Sequence, residues 1–572
     1  MNNVWGPIGR TVFQRTYSRR KPDGTREEWP ETVWRVVHGN CELVPEEFIE
    51  PGERERLIDL IGSFALLPAG RHLWVTGVPG RRYTNNCHHA GWGPRLRDHV
   101  GFLANCLMSG GGSGSPYTNS AIGVLQSPAG TVEPRFLAPT HEDRAELAHR
   151  LSSPSSTGAV YRVPDTKEGW AEALCRLTDL AEDGGGTITF DVTDVRPRGS
   201  LIRGFGGTAS GPAPLVEMLA NVADVLNRCV GRPYTSLDLM EVDHAIAACV
   251  IAGNVRRSAR MSVKSWADED ILDFIRCKAD SAEHWSTNIS VTIDDAFFKA
   301  LDHKDPQAQT VLEEVVTFAD AEDPRQIEVV ERNRRIGVGI LGFQEWAAAH
   351  GYRYSQVADG EIMGAKLSIL RDKAQRAAAE YAFRLGIPTP IKTTCVAPTG
   401  TVSTLPGVTP GIHPIFGRYF IRRVRFAADD PLLVEHQAQG HHIEDDLCAG
   451  NTKVVAIPCA DSILGRYDEN LIEQADEISP ADMLATQAFV QRHWADNGIS
   501  FTLNVGDGVT TGHLAEVLQH FLPQLKGVTV FPHLSRPQSP FERISKTAYE
   551  IAAGAEVGQA IDDCVNGACP VR

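Results

Sequence analysis

No stretch of this 572-residue chain stays apolar over the roughly 20 residues that a bilayer requires, so nothing in it reads as a membrane span. Residues 1–24 are polar and Arg-rich without an apolar segment, and no secretory leader is read there. Positive charge is also in deficit: 56 Lys and Arg against 72 Asp and Glu leave a net −16. A surface of that sign repels phosphate backbones, so nucleic acid is not an expected partner. The twelve cysteines form no compact framework, which excludes a disulfide-stapled secreted scaffold and points to reduced thiols in a cytoplasm. Internal repeats and long low-complexity segments are absent too, which excludes a solenoid.

What is present is a long, ordinary globular composition with alternating helix and strand signals. The length exceeds what one simple core supports. Apolar spacing predicts helices over 45–67, 97–108, 213–228, 236–252 and 361–385, and across most of 294–333, where Asp305-Pro306 and Asp323-Pro324 supply helix starts. Strands are expected over 187–192, in the run ending at Val263, and over 287–293. Residues 127–160, rich in Pro, Ser and charge, are expected as surface loops with one short helix. The alternation argues for an α/β fold with a largely parallel sheet. The expected division is a mostly helical region over 1–80, a main α/β body over 81–545 and a tail over 546–572.

Four groups of residues carry candidate chemistry. Cys564 and Cys569 stand five positions apart in the last nine residues. A dithiol on a mobile chain end can exchange with a buried disulfide and swing out to be reduced again; two idle thiols or a plain terminal disulfide is the other reading. Cys87 follows Asn85-Asn86 in a polar loop and precedes a Gly-rich turn, making it a candidate for the thiol such a tail serves. Pro398-Thr399-Gly400-Thr401-Val402-Ser403 offers hydroxyls and backbone N–H groups to an anion, aided by a dipole if a helix begins near Val402; an ordinary capped turn is the rival reading. Gly337-Val-Gly-Ile-Leu-Gly342 has the spacing of a dinucleotide fingerprint but lacks a preceding strand and an acidic ribose partner, so close backbone packing is favoured. The pairs His88-His89 and His441-His442 have no zinc-like spacing, and no metal ligands are assigned. Arg81-Arg82, Arg256-Arg257, Arg334-Arg335 and Arg422-Arg423 could hold phosphates, though solvated or salt-bridged arginines are the commoner case. Cys175, Cys229 and Cys249 sit in apolar helical stretches and read as core.

Taken in order, these pieces resemble the adenosylcobalamin-dependent ribonucleoside-triphosphate reductases, the monomeric branch of the class II ribonucleotide reductases. Asn85-Asn86-Cys87, Pro164–Trp170, Asp194–Pro197, Gly204–Gly211, Ala252–Ser258, His284-Trp285, Asn288, Arg332–Gly337, Pro398–Thr401, Thr486–Phe489 and the terminal thiols carry the resemblance, from near Trp34 to Arg572. The resemblance implies a ten-stranded α/β barrel, reduction of ribonucleotides to 2′-deoxyribonucleotides for DNA synthesis, deoxynucleotide effectors, and thioredoxin or a similar dithiol as reductant. Adenosylcobalamin would initiate a thiyl radical on a central loop; no corrin-contacting residue is assigned. By position, Cys87 matches one reducing cysteine, and Cys564 and Cys569 match the shuttle pair. Asn86, Gly110, Gly111 and Gly112 match the substrate side, with the Gly-rich turn running to Gly114. Pro398, Thr399, Gly400, Thr401 and Ser403 match the phosphate loop.

One departure stands out. The family's radical loop carries Asn-x-Cys-x-Glu, and that string is absent: no cysteine occurs between Cys277 and Cys395. Several tens of residues are read as missing near 316–318, which removes the thiyl cysteine, its Glu general base and the second reducing cysteine. Activity of the chain as it stands is therefore in doubt, and a catalytically silent nucleotide-binding relative is the alternative. Cys395 precedes the phosphate loop but is a poor substitute.

Overall fold

The computed structural model describes all residues except 1–4, 20, 22, 79–86, 153–159, 201–208, 252–258, 279–283, 285, 304, 306, 309–310, 312–333, 429, 448–451, 507, 533–537 and 555–572. Its contacts divide the chain into two units, residues 80–329 and residues 1–79 with 330–572.

In the first unit four strands pair in parallel in the order β1-β2-β6-β7: β1 is Cys87–His89, β2 Gly112–Pro116, β6 Ala259–Ser265 and β7 Thr287–Thr292. A second parallel sheet has the order β3-β5-β4, with β3 Val132–Leu137, β4 Val160–Arg162 and β5 Gly186–Asp191. Parallel strands need crossovers, and helices Leu96–Met108, Lys167–Glu182, Ala213–Arg228 and Ser236–Ile251 supply apolar faces for them. β3 lies in a segment whose composition predicts loops, because Pro134 argues against a strand. The register resolves the conflict. The carbonyls of Thr131 and Leu137 accept from Gly186 and Val192, so odd positions face β5 and Pro134, which has no N–H, faces the outer edge.

The second unit contains an antiparallel sheet of order β13-β8-β10-β9, which the largely parallel expectation does not include: β8 is Tyr419–Ala427, β9 His442–Asp445, β10 Thr452–Ala460 and β13 Phe541–Arg543. Phe420, Val424 and Phe426 alternate along β8 and pack with Val455 and Ile457 against Phe13, Trp29, Val33 and Val37 of the N-terminal helices. The same unit also holds parallel pairings: isolated bridges join Val338 to Thr394 and Val396 to Ile499, and β11 (Thr502–Val505) pairs with β12 (Thr529–Pro532).

Helices Leu96–Met108, Ala213–Arg228, Ser236–Ile251 and Glu361–Leu385 fall where periodicity puts them. The 45–67 segment differs. It gives a short 3-10 turn at Glu46–Phe48 and a helix at Glu53–Gly62, because Pro51 and a left-handed Gly52 (φ 76°) reset the chain between them. Of 294–333, a helix is described over Asp295–Asp302, capped by the Asp294 carboxylate, and Gln307, Ala308 and Val311 are helical too, with the Ala308 N–H donating to the Asp305 carboxylate at 3.0 Å; 312–333 lie outside the described residues.

Candidate active site

Cys87 and Gly112 are 25 positions apart in sequence and directly opposite each other in the parallel register of β1 and β2. The helix Leu96–Met108 delivers the chain to that point. It ends in a Schellman cap: Gly110 takes φ 84°, its N–H reaches Leu107 O at 2.8 Å, and the Gly111 N–H reaches Cys106 O at 2.8 Å. Gly111 is needed for a different reason. A Cβ there would meet Cys106 Sγ at 2.6 Å and the His88 ring at 2.7 Å. Gly112 then begins β2, so the expected Gly-rich turn over 110–114 is a cap followed by a strand. Asn86, Cys564 and Cys569 lie outside the described residues, as do Arg81-Arg82 and Arg256-Arg257.

The Pro398–Ser403 segment is a largely exposed turn whose last two residues, Val402 and Ser403, are buried. Thr399 adopts φ 48°, a costly conformation for a β-branched residue. It is held by two bonds, Gly411 N–H to Thr399 Oγ1 at 2.8 Å and Ser403 N–H to Thr399 O at 2.9 Å. Among the described residues no group accepts from the N–H of Gly400, Thr401 or Val402, and a Cβ at Gly400 would meet nothing within 4 Å. The helix expected at Val402 is only a 3-10 turn, Val402–Thr404, so it adds no helix dipole of consequence. Pro406 and a left-handed Gly407 (φ 64°) end it. Behind the turn, Glu345 accepts from Thr409 N–H (2.8 Å) and Thr409 Oγ1 (2.5 Å), while the fully buried Gln344 bridges Ile415 N–H and Glu473 O at 2.7 Å each. His413 is fixed by Thr502 N–H at Nε2 (3.0 Å) and Pro410 O at Nδ1 (3.0 Å), and burial holds its pKa below the usual histidine range.

A buried polar cluster that no motif announced lies in the same unit as Cys87. Asp243, 1% exposed, accepts from His99 Nε2 (3.0 Å) and from the Tyr117 hydroxyl, with Arg260 3.5 Å from its carboxylate. Arg260 also donates to Tyr117 Oη (3.2 Å) and Ser286 Oγ (3.0 Å), and Trp92 stacks on His99. Burial alone pushes the Asp243 carboxyl up, but His99 and Arg260 outweigh it and hold it below its ordinary value. Lys264, fully buried, ties the end of β2 through Tyr117 O (3.0 Å) and pairs with Asp268 (3.2 Å) and Asp270 (2.9 Å). The cluster joins positions up to 147 apart, so no local pattern could have found it.

Other candidates resolve as structure. Arg422 stacks over Phe541 and donates to Pro540 O, and Arg423 pairs with Glu542. Gly337 is where a Cβ would meet Cys395 Sγ at 2.8 Å, which is close backbone packing. Cys175, Cys229 and Cys249 are buried, and burial pushes their thiols up to about 11, 12 and 12. His436 and His441 face each other through Nδ1 at 3.0 Å. Among the described residues no group of three or more His, Cys, Asp or Glu could hold a metal ion, and no helix is long and apolar enough to cross a membrane.

Three family models match the chain: the ribonucleotide reductase alpha domain over residues 1–78, the B12-dependent ribonucleotide reductase insertion domain over 140–226 and the ribonucleotide reductase barrel domain over 391–530. A putative adenosylcobalamin-dependent ribonucleoside-triphosphate reductase of Mycobacterium phage D29 is 40% identical, covering 99% of both chains. The adenosylcobalamin-dependent ribonucleoside-triphosphate reductase of Lactobacillus leichmannii is 29% identical over 99% of this chain and 97% of its own. The crystal structure of a B12-dependent class II ribonucleotide reductase superposes with a TM-score of 0.80 at 27% identity, covering 98% of this chain and 96% of that one. An Actinobacillus ureae class Id alpha subunit shares the fold alone, at TM-score 0.52 and 11% identity over 93% of this chain and 97% of that one. Fold and motifs define a ribonucleotide reductase large chain of the α/β barrel type. The chain belongs to the adenosylcobalamin-dependent ribonucleoside-triphosphate reductases.

It is shorter than the alignment with the phage relative. The phage alignment runs over 686 positions although this chain has 572 residues, so the relative carries sequence with no counterpart here. The interval from Cys277 to Cys395 holds no cysteine, and Cys395 itself is wedged against Gly337 with its thiol pushed up by burial and by Asp496.

Proposed function

We propose that this chain is the substrate-binding and electron-delivering body of a ribonucleoside-triphosphate reductase, and that alone it does not turn over. The triphosphate is taken by the Pro398–Ser403 turn, whose unshared N–H groups and Thr401 hydroxyl suit phosphate oxygens. Gly110, Gly111, Gly112 and Asn86 serve the sugar, and Cys87 is one reducing thiol. Cys564 and Cys569 recharge it by thiol–disulfide exchange and are themselves reduced by thioredoxin or a similar dithiol. Deoxynucleotide effectors, a monomeric state and a cytoplasmic setting follow the family. The observation that supports this reading best is the register that sets Cys87 across from Gly112.

The test has two arms. With adenosylcobalamin, a ribonucleoside triphosphate and a dithiol, the purified chain yields no deoxynucleotide and releases no tritium from the cofactor's 5′ position; either product overturns the claim of silence. Calorimetry registers ribonucleoside triphosphate binding. Gly400→Asp abolishes it while the fold persists, because a side chain there enters open space. Undiminished binding by that variant removes the phosphate assignment. The retained Cys87 and terminal thiols weigh against the rival reading of a regulatory nucleotide-binding relative, since they serve only reduction.

A further inference from the structure

The Gly337–Gly342 motif leads into a clamp behind the Pro398–Ser403 turn. Gly342, held left-handed at φ 70°, precedes the helix Phe343–Ala349 and turns its N–H onto Thr409 O at 2.9 Å. The Gln344 N–H meets Thr409 Oγ1 at 3.4 Å. Glu345 closes the grip with both carboxylate oxygens, one on the Thr409 N–H (2.8 Å) and one on its hydroxyl (2.5 Å). The pattern resembles a capping box whose threonine comes from 64 positions away. Both residues are buried, so water competes little for these bonds. Thr409 in turn lies between two bonds that fix both ends of the turn. Val408 N–H reaches Ser403 O at 3.1 Å, and Gly411 N–H reaches Thr399 Oγ1 at 2.8 Å. Gly411, at φ 53°, comes so close that a Cβ there would meet Ala397 O at 2.9 Å. Thr399 keeps its φ of 48° because that strip stays in place, since a β-branched residue does not rest there unaided.

We propose, on the reading of that turn as the phosphate site, that Glu345 is a positioning residue for the triphosphate. It touches no substrate atom. It locks Thr409, Thr409 fixes the 408–411 strip, and the strip keeps Thr399 in the conformation from which the N–H groups of Gly400, Thr401 and Val402 serve phosphate oxygens. A carboxylate behind an anion site repels the ligand by its charge. Its value there lies in its hydrogen bonds: two acceptors on one side chain satisfy both the N–H and the O–H of a buried threonine.

Calorimetry on the full chain, with a ribonucleoside triphosphate and with inorganic tripolyphosphate, is the test. Glu345→Ala should weaken both at least about tenfold, whereas loss of the charge alone would tighten them. Glu345→Gln keeps an acceptor for the Thr409 N–H and brings an amide N–H to the hydroxyl, so it should stay within about threefold of the native chain. Coupling to Thr399 separates positioning from general loosening. In a Thr399→Gly chain the Gly411 bond is already gone, and adding Glu345→Ala should lose no more than about twofold further. Undiminished binding by Glu345→Ala, a Gln variant as weak as the Ala variant, or losses that multiply in the double variant overturns the proposal. If Glu345→Ala melts before it can be titrated, Thr409→Val and Thr409→Ser replace it. Valine removes only the hydroxyl and should weaken binding several-fold, serine should not, and equal binding by the two overturns the proposal. Gly400→Asp is measured alongside. Binding that it abolishes but Glu345→Ala spares sinks only this inference, whereas binding indifferent to Gly400→Asp, or no binding by the native chain, sinks the phosphate reading beneath it.

Discussion

Replacing Asp243 by Asn should cost the 80–329 unit about 3–5 kcal/mol, the usual consequence of removing one charge from a buried paired set. Asp243 offers two oxygens to His99, Tyr117 and Arg260 at a site 1% exposed. An amide keeps one acceptor and turns an NH2 group toward donors, so at least one buried donor loses its partner. With a urea m-value of about 2–3 kcal/mol/M, the midpoint of this unit falls by about 1–2.5 M. Trp92, stacked on His99 with ring centroids 3.7 Å apart, reports it by fluorescence against a Trp92→Phe control. The sign of the pH effect follows from the carboxyl's depressed pKa. Its contribution is present above the unfolded carboxylate value of about 3.9 and is lost as pH falls below it. Asp243→Asn should therefore flatten the acid limb of the stability curve, and added salt should change little because the pair is buried. Tyr117→Phe alone should cost about 1 kcal/mol, and the double variant less than the sum. An unchanged midpoint, or strict additivity, would refute the claim that the Asp243 charge holds this cluster together.

Three further expectations follow from single contacts. Asp461, pushed up to about 6 chiefly by burial and also by Glu345, destabilises the second unit when ionised. Asp461→Asn keeps an acceptor for Ile463 N–H and should stabilise by up to about 3 kcal/mol at pH 7, with the gain vanishing by pH 4; denaturant titration at both pH values checks it, and an equal gain at pH 4 contradicts it. Gly111→Ala should cost about 1–3 kcal/mol by overpacking against Cys106 and His88, and Cys106→Ala should recover part of that in a thermal melt. Thr399→Val keeps the left-handed strain but deprives Gly411 N–H of its acceptor, costing about 1 kcal/mol, whereas Thr399→Gly should be near neutral because relieved strain offsets the lost bond; equal losses in both would discount the strain.

Much was legible in the residues because the signals were local. Apolar spacing located helices Leu96–Met108, Ala213–Arg228 and Glu361–Leu385, and β-branched alternation located β5 and β7. Where local signals conflicted, the reading failed. Pro134 hid β3, whose edge position makes proline harmless, and Pro51 with Gly52 split a helix that periodicity alone ran together. The alternation of Phe420, Val424 and Phe426 was available, but Arg422 and Arg423 drew attention to phosphate binding instead of to a half-buried strand.

By itself the order of residues determined the family, the candidate thiols, the candidate phosphate turn and the lack of a cysteine from 278 to 394, since all are statements about which residues stand where along the chain. Tertiary structure alone decided that Cys87 faces Gly112, that Thr399 is held left-handed by Gly411, that Asp243 gathers three distant donors, and that Glu345 closes on Thr409. Helical and strand periods couple neighbours two to four positions apart. Register, burial and the pairing of buried charge are set between segments far apart in the chain, where no repeat in the sequence records them.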